Sequence, residues 1–334
     1  MGVFGKGIQK PKLRGGDMAN TPSESQVFFV GFWPDYETYF LNAANQGACN
    51  YTLVNPKDNL KRLSGFRWLP RAIQNAFVVR VIKKIFQKYP NALFIFQGDT
   101  TLLTLLSKQK DLPKVAVLMR NIISAESQPA LLLHELSKRS VPIFSFDQQN
   151  CKQFNFSHYQ QFAEKLPLAE QKVDYDFCFI GRGKGRQTLL KTIKHESEKL
   201  GFRANIEILG VKKVQTKTGV KPKRILDYQE YLKRQLNCHC IIDINQSEQL
   251  GLTLRPIEAM LYEKKLLTNN ESIRHEAFYR PDNIFIISED MDYHDVKSFM
   301  AKPYIKIPTE VMEQYQAAPV ISDIIQQIEL SYNS

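Results

Sequence analysis

Residues 175–186, YDFCFIGRGKGR, interleave Gly181, Gly183 and Gly185 with Arg182, Lys184 and Arg186 directly after an apolar run. Glycines at the end of a strand let a ligand approach the backbone. The RQTLLKTI that follows reads as a helix whose first N–H groups point at whatever sits there. Cations at a helix N-terminus oppose the helix dipole, so three of them together fit an anion that they share with the backbone. A dinucleotide fingerprint requires glycine where Arg186 stands, and Gly185 comes one residue too early. A Walker loop requires Gly-Lys followed by a hydroxyl, whereas Lys184 precedes Gly185. Two readings stay open: a diphosphate site, or a tight turn with solvated cations.

A second segment, NQSEQLGLTLRPIEAMLYEKKLLTNN (245–270), follows the apolar run CIIDIN and enters a helix near Leu254. It resembles the donor-binding signature of two-domain GT-B glycosyltransferases of the retaining type. Ser247, Glu248, Gly251 and Leu252 match its first part, and Glu258, Ala259 and Met260 its second. The spacer is longer than in that family and sets the two glutamates ten residues apart. The wording GLTLRPIEAMLYEKKLLTNN, followed by FYRPDNIFIIS, is similar to bacterial lipopolysaccharide and capsule transferases; the likeness spans residues 175–290.

The resemblance implies a hexosyltransferase acting from a nucleotide-sugar, UDP-sugar first, onto a lipopolysaccharide core or capsule glycan. It implies that Glu258 hydrogen-bonds the donor ribose and that Glu248 faces the sugar or diphosphate as a catalytic residue. Arg182 with Lys184 or Arg186, on the turn made by Gly181 and Gly183, would neutralise the leaving diphosphate. Arg255 would add a phosphate contact, and Gly251, Leu252 and Thr253 would complete the donor side. The implied partners are the nucleotide-sugar, an anionic or lipid-linked glycan and the acidic inner face of the cytoplasmic membrane. No metal or cofactor beyond the co-substrate is expected: Asp174 and Asp176 flank Tyr175 at the start of a strand rather than on a metal-binding loop.

The acceptor and a general base are expected from the first half of the chain. VGFWPDYET (30–38) follows the first strand and offers Asp35 as the base, with Glu37 beside it and Trp33 and Tyr36 as stacking surfaces for a sugar. Asp99 and Asp147, each just past an apolar run, are further candidates.

Positioning these groups requires strands that end together. From Gln26 the chain alternates β-rich runs (QVFFVGF, NYTLVN, ALFIFQGD, KVAVLMRN, VPIFSFD) with helical patterns, including AIQNAFVVRVIKKIFQKY and TTLLTLLSKQ, the latter with threonine at its cap. Residues 148–173 read as a helical connection. The alternation then restarts with YDFCFIG, ANIEILG, CIIDIN, KLLTNN and NIFIIS. Two successive βαβ arrays predict an α/β, GT-B-like protein, with two Rossmann-like domains whose parallel sheets face a central cleft. The expected divisions are a basic tail over 1–20, an acceptor domain over 21–165, a nucleotide-sugar domain over 166–320 and a C-terminal helix over 321–334.

At 334 residues with 43% hydrophobic and 24% charged composition, the chain is globular and long enough for two cores. Its net charge of +11 calls for an anionic partner. Nucleic acid answers that charge too, but no nucleic-acid module is recognisable, so none is expected as partner. A non-catalytic nucleotide- or glycan-binding module is the other alternative. Five scattered cysteines fit reduced thiols and a cytoplasmic protein, and Cys238-His239-Cys240 reads as a helix-to-strand junction with buried cysteines. GFRWLPRAIQNAFVVRVIKK (65–84), with Arg67, Trp68, Arg71 and Arg80, reads as an amphipathic helix, packed on the core or lying on the membrane.

Overall fold

The computed structural model describes residues 26–45, 50–56, 70–169, 172–209, 226–246, 249–288 and 291–333. The predicted tail, the basic loop 211–224, Arg67 and Trp68 lie outside them. The first half runs β1 (Val27–Val30), α1 (Asp35–Asn45), β2 (Tyr51–Val54), α2 (Arg71–Lys88), β3 (Leu93–Gln97), α3 (Thr100–Ser107), β4 (Lys114–Met119), α4 (Gln128–Ser137), β5 (Ile143–Ser145), α5 (Gln148–Phe154) and β6 (Ser157–His158). The second runs β7 (Tyr175–Arg182), α6 (Gln187–Lys199), β8 (Ala204–Leu209), α7 (Tyr228–Gln235), β9 (Cys238–Asp243), α8 (Leu254–Leu261), β10 (Lys265–Thr268) and β11 (Ile284–Ile286). Three helices close the chain: α9 (Tyr293–Ala301), α10 (Thr309–Glu313) and α11 (Ala317–Asn333).

All the strand pairs are parallel. The sheets run β2-β1-β3-β4-β5-β6 and β8-β7-β9-β10-β11, so both repeat one doubly wound order. In each, the chain reverses direction beside its first strand, and ligands in such sheets bind beyond the carboxyl ends at that reversal. The strands qualify for this because they are apolar on both faces: β3 (LFIFQ) and the body of β4 are buried throughout. Each large side chain removed from water there contributes about 1.5–3 kcal/mol.

Acidic and hydroxyl caps set most of the helix starts. Asp99 accepts the Thr101 N–H at 2.9 Å, so the cap of α3 is Asp99 and not the threonine expected from the sequence. A carboxylate just outside the first turn meets both the free N–H groups and the dipole. Of the described residues in 148–173, expected as a helical connection, only α5 is helical. After α5 and the short β6 the chain runs without helix or strand from Tyr159 to Ala169, burying Tyr159, Phe162 and Ala163. This strap is tied to the second half: Ala163 N–H donates to the Tyr315 carbonyl at 3.0 Å, and Leu166 N–H to the Tyr262 hydroxyl at 2.7 Å. A helix there would have spent those N–H groups internally. Cys238-His239-Cys240 opens β9 itself, with both cysteines buried, and no cluster of metal-ligating side chains occurs among the described residues.

The last helix returns to the first half. Residues Val320, Ile321, Ile324 and Ile328 of α11 are buried, α11 packs along α1, and the Tyr332 hydroxyl donates to the Val115 carbonyl at 2.6 Å. The two halves also meet at Asp147. One carboxylate oxygen caps α5 through Asn150 N–H at 2.9 Å, and the other accepts Leu250 and Gly251 N–H at 3.1 and 2.8 Å. A side chain at Gly251 would put its Cβ 2.7 Å from the Phe146 carbonyl oxygen, so this approach admits glycine alone. Replacing Asp147 by alanine removes the cap and strands the N–H of Gly251. Asp147→Ala should therefore cost about 2–4 kcal/mol, read as a lower urea midpoint with helical content retained.

Candidate active site

A cavity of about 800 Å³ opens between the carboxyl ends of the two sheets. From the first half it is lined by Asp35 and Tyr36 after β1, Arg120 after β4, Phe146 after β5, and Gln161 from the strap. From the second it is lined by Arg182 at the end of β7, Lys184 and Arg186 after it, Gln246 after β9, Tyr228 and Tyr231 of α7, and Thr253, Arg255 and Glu258 around α8. Its volume is within the roughly 300–1,000 Å³ of small-molecule sites.

The turn after β7 is built by its glycines. A Cβ on Gly181 would meet Arg255 Nη2 at 2.4 Å, so the missing side chain is what lets Arg255 cross the strand end. Lys184 and Gly185 both adopt positive φ, 43° and 84°, which reverses the chain into α6. Arg186, at the N-cap of α6, donates to the carbonyls of Ile244 and Arg182, and its guanidinium lies 5.3 Å from the Phe179 ring centroid. Arg255 stacks on the same ring at 4.7 Å, donates to the Ile180 carbonyl at 2.8 Å and pairs with the buried Asp243 at 3.4 Å. Thr253 caps α8 through Arg255 N–H at 3.2 Å and donates its own hydroxyl to Asp243 at 2.9 Å.

These cations crowd one another. Burial, then Arg186, Arg182 and Arg255, hold the Lys184 ammonium below its ordinary value, and burial with Arg255 does the same to Arg186. Burial works against the Arg255 charge as well, but Tyr231, Asp243 and Glu258 outweigh it and hold that guanidinium up. A bound anion would relieve the repulsion while accepting charge-assisted hydrogen bonds.

Glu258 is buried, with its two oxygens each 2.9 Å from a tyrosine hydroxyl, Tyr228 on Oε1 and Tyr231 on Oε2. The tyrosine rings stack at 5.8 Å. Burial pushes the Glu258 carboxyl up, against Arg255 and the two hydroxyls. A carboxylate has about four acceptor sites, so lone pairs remain for a ligand hydroxyl. Asp35 accepts the N–H of Tyr36 at 3.1 Å and, across the cleft, of Tyr228 at 2.5 Å. Its carboxylate thus sits at the N-terminus of α7.

Of the predicted residues, the structure brings Asp35, Arg182, Lys184, Arg186, Thr253, Arg255 and Glu258 to one cavity. Gly181 and Gly183 shape the turn without lining it, Gly251 faces Phe146, and Leu252 is in the core. Glu248 lies outside the described residues. Glu37 is buried beneath the floor, Asp99 and Asp147 are helix caps, and none of these three lines the cavity. Sequence reasoning missed Arg120, Gln161, Tyr228, Tyr231 and Asp243. Arg120 alone carried a usable signal, the first polar residue after the strand VAVLM.

Two Rossmann-like units with repeated topology around one cleft make this a GT-B-like fold. Solved structures share it: sucrose-phosphate synthase from Thermosynechococcus elongatus has a TM-score of 0.59 at 10% identity, over 92% of this chain and 100% of that one. TarM has a TM-score of 0.50 at 10% identity, covering 76% of this chain and 58% of that one. UDP-GlcNAc 2-epimerase from Methanocaldococcus jannaschii reaches 0.49 at 12% identity, over 90% and 99% of the two chains. No family model matches the chain, and no curated protein matches it.

Because burial raises the folded-state pKa of Glu258, the folded protein holds its proton to higher pH than the unfolded chain. Stability from this group is complete below the usual glutamate range and declines as pH rises through the raised value. Glu258→Gln abolishes the decline. The melting temperature of the variant relative to the original protein should therefore climb between pH 4.5 and pH 8, and a flat difference would refute the buried, raised carboxyl.

Proposed function

We propose that the chain is a glycosyltransferase that moves a hexose from a nucleotide-sugar, UDP-sugar first, to a glycan acceptor of the bacterial cell envelope. The observation that carries this reading is the cluster of Arg182, Lys184, Arg186 and Arg255 at the ends of β7 and β9, inside a cavity whose other wall comes from a second sheet. A departing nucleoside diphosphate develops negative charge at its bridging oxygen, and preorganised cations and helix N–H groups there lower the barrier without needing a metal. Glu258 holds the donor ribose through its remaining lone pairs, and the tyrosine pair fixes its orientation. Asp35, at the acceptor side, takes the proton of the attacking hydroxyl, with its carboxylate held by two N–H donors.

The envelope acceptor rests on the resemblance of residues 175–290 to lipopolysaccharide and capsule transferases. Work at the inner face of the cytoplasmic membrane suits the exposed cations Arg80, Lys83, Lys84 and Lys88 on α2, whose Val78 and Ile82 are buried in the core. No described helix is long and apolar enough to cross a membrane.

Thermal unfolding with UDP, GDP, CDP and ADP at millimolar concentration is the direct test. A ligand at a hundred times its Kd adds about 2.7 kcal/mol, so one diphosphate should raise the melting temperature selectively. Arg182→Ala with Lys184→Ala should weaken the diphosphate far more than the free nucleoside. Equal losses, or no shift with any nucleotide, would sink the assignment. Tight binding with no release of nucleotide from any nucleotide-sugar would identify a binding module instead.

A further inference from the structure

Arg120 stands directly after β4, on the wall facing the diphosphate cations, and its side chain is only 3% exposed. Burying a guanidinium costs several kcal/mol unless it is paired. The pairing here is thorough. Nε lies 3.5 Å from Oε1 of Glu37, whose other oxygen accepts Gln97 Nε2 at 2.9 Å. Nη1 donates to Gln161 Oε1 at 2.6 Å and to the Tyr159 hydroxyl at 3.2 Å, and the guanidinium carbon sits 4.6 Å from the Phe162 ring centroid.

These contacts account for three of the five N–H donors of a guanidinium. The two on Nη2 have no partner among the described residues, and Arg120 lines the cavity. Four neighbours thus hold the guanidinium rigid from behind and leave one terminal nitrogen unspent. An Arg–Glu pair serving stability alone has no reason to face a ligand cavity with free donors. A fixed, charged nitrogen with two free N–H groups donates charge-assisted hydrogen bonds to the oxygens of a carboxylate or phosphate.

We propose that Arg120 Nη2 is a second anion subsite, separate from the diphosphate cluster, which takes a carboxylate or phosphate borne by a sugar bound in the cleft. That the sugar is the transferred residue or the acceptor rests on the transferase reading; the subsite itself does not. Glu37, Tyr159 and Gln161 are positioning residues for it.

The test compares D-glucuronate with its neutral counterpart D-glucose by calorimetric titration at fixed ionic strength, on protein saturated with UDP so that the opposite cluster is filled. Arg120→Met alone would strand the Glu37 charge, so it is combined with Glu37→Gln; Arg120→Lys keeps the charge and loses the fork. The original protein should prefer glucuronate by about ten- to a hundredfold, the worth of a charge-assisted hydrogen bond. The double variant should bring the two ligands within about twofold, with UDP affinity retained, and the lysine variant should fall between. Preference seen with free glucuronate on the UDP complex, without one for UDP-glucuronate over UDP-glucose, places the anion on the acceptor. A preference for UDP-glucuronate over UDP-glucose that vanishes in the double variant places it on the donor sugar. No preference in either arm, or one that survives the double variant, overturns the proposal. Should UDP itself not bind, the transferase reading falls, and the glucuronate comparison is repeated in an Arg182→Ala, Lys184→Ala background, where it still decides the subsite.

Discussion

Guanidinium groups buried at the ends of parallel strands govern the architecture of the cleft. Arg120 follows β4 directly on one wall and Arg255 lies over the end of β7 on the other. Each is compensated by a buried carboxylate behind it, Glu37 and Asp243 respectively, and each stacks on an aromatic ring, Phe162 and Phe179. Without those carboxylates the desolvation cost would exclude either cation from the interior. With them, positive charge is held at fixed depth where a ligand replaces water as its remaining partner.

The same economy explains the small residues around the site. Gly181 exists as glycine because Arg255 occupies its side-chain space, and Gly251 because the loop before α8 touches the backbone at Phe146. Asp147, between the halves, spends one oxygen on its own helix and the other on the opposing loop. The cleft is therefore braced at its back by main-chain hydrogen bonds and by α11, while its lining cations remain available to a ligand. Asp35 and Tyr228 add a contact across the cleft from the two walls.

Much of the frame was legible in the sequence. The alternation of apolar runs with helical patterns predicted two parallel sheets, because a strand buried on both faces must be apolar throughout. The motif order predicted that Arg182, Lys184, Arg186, Arg255 and Glu258 would share a cavity, since polar residues placed just past apolar strands collect at one edge. Less legible was the segment after α5: Tyr159 and Phe162 are apolar at helical spacing, yet their burial under the second half decides a non-helical path. The cap of α3 was misplaced by one residue because Asp99 and Thr100 are both good caps and only backbone geometry separates them.

What the sequence by itself determined is the architecture and the cationic character of the second-half wall of the cavity. Periodicity, glycine placement and charge are local properties that survive in one dimension. What only the tertiary structure decided is which charges are spent. Glu37 and Glu258 look alike in sequence, but one is the counter-ion of Arg120 below the floor and the other the acceptor of two stacked tyrosines at the cavity. Asp147 looked like a candidate base and is a brace. The fate of a charge depends on neighbours far away along the chain and on the water it loses, and both are set by folding.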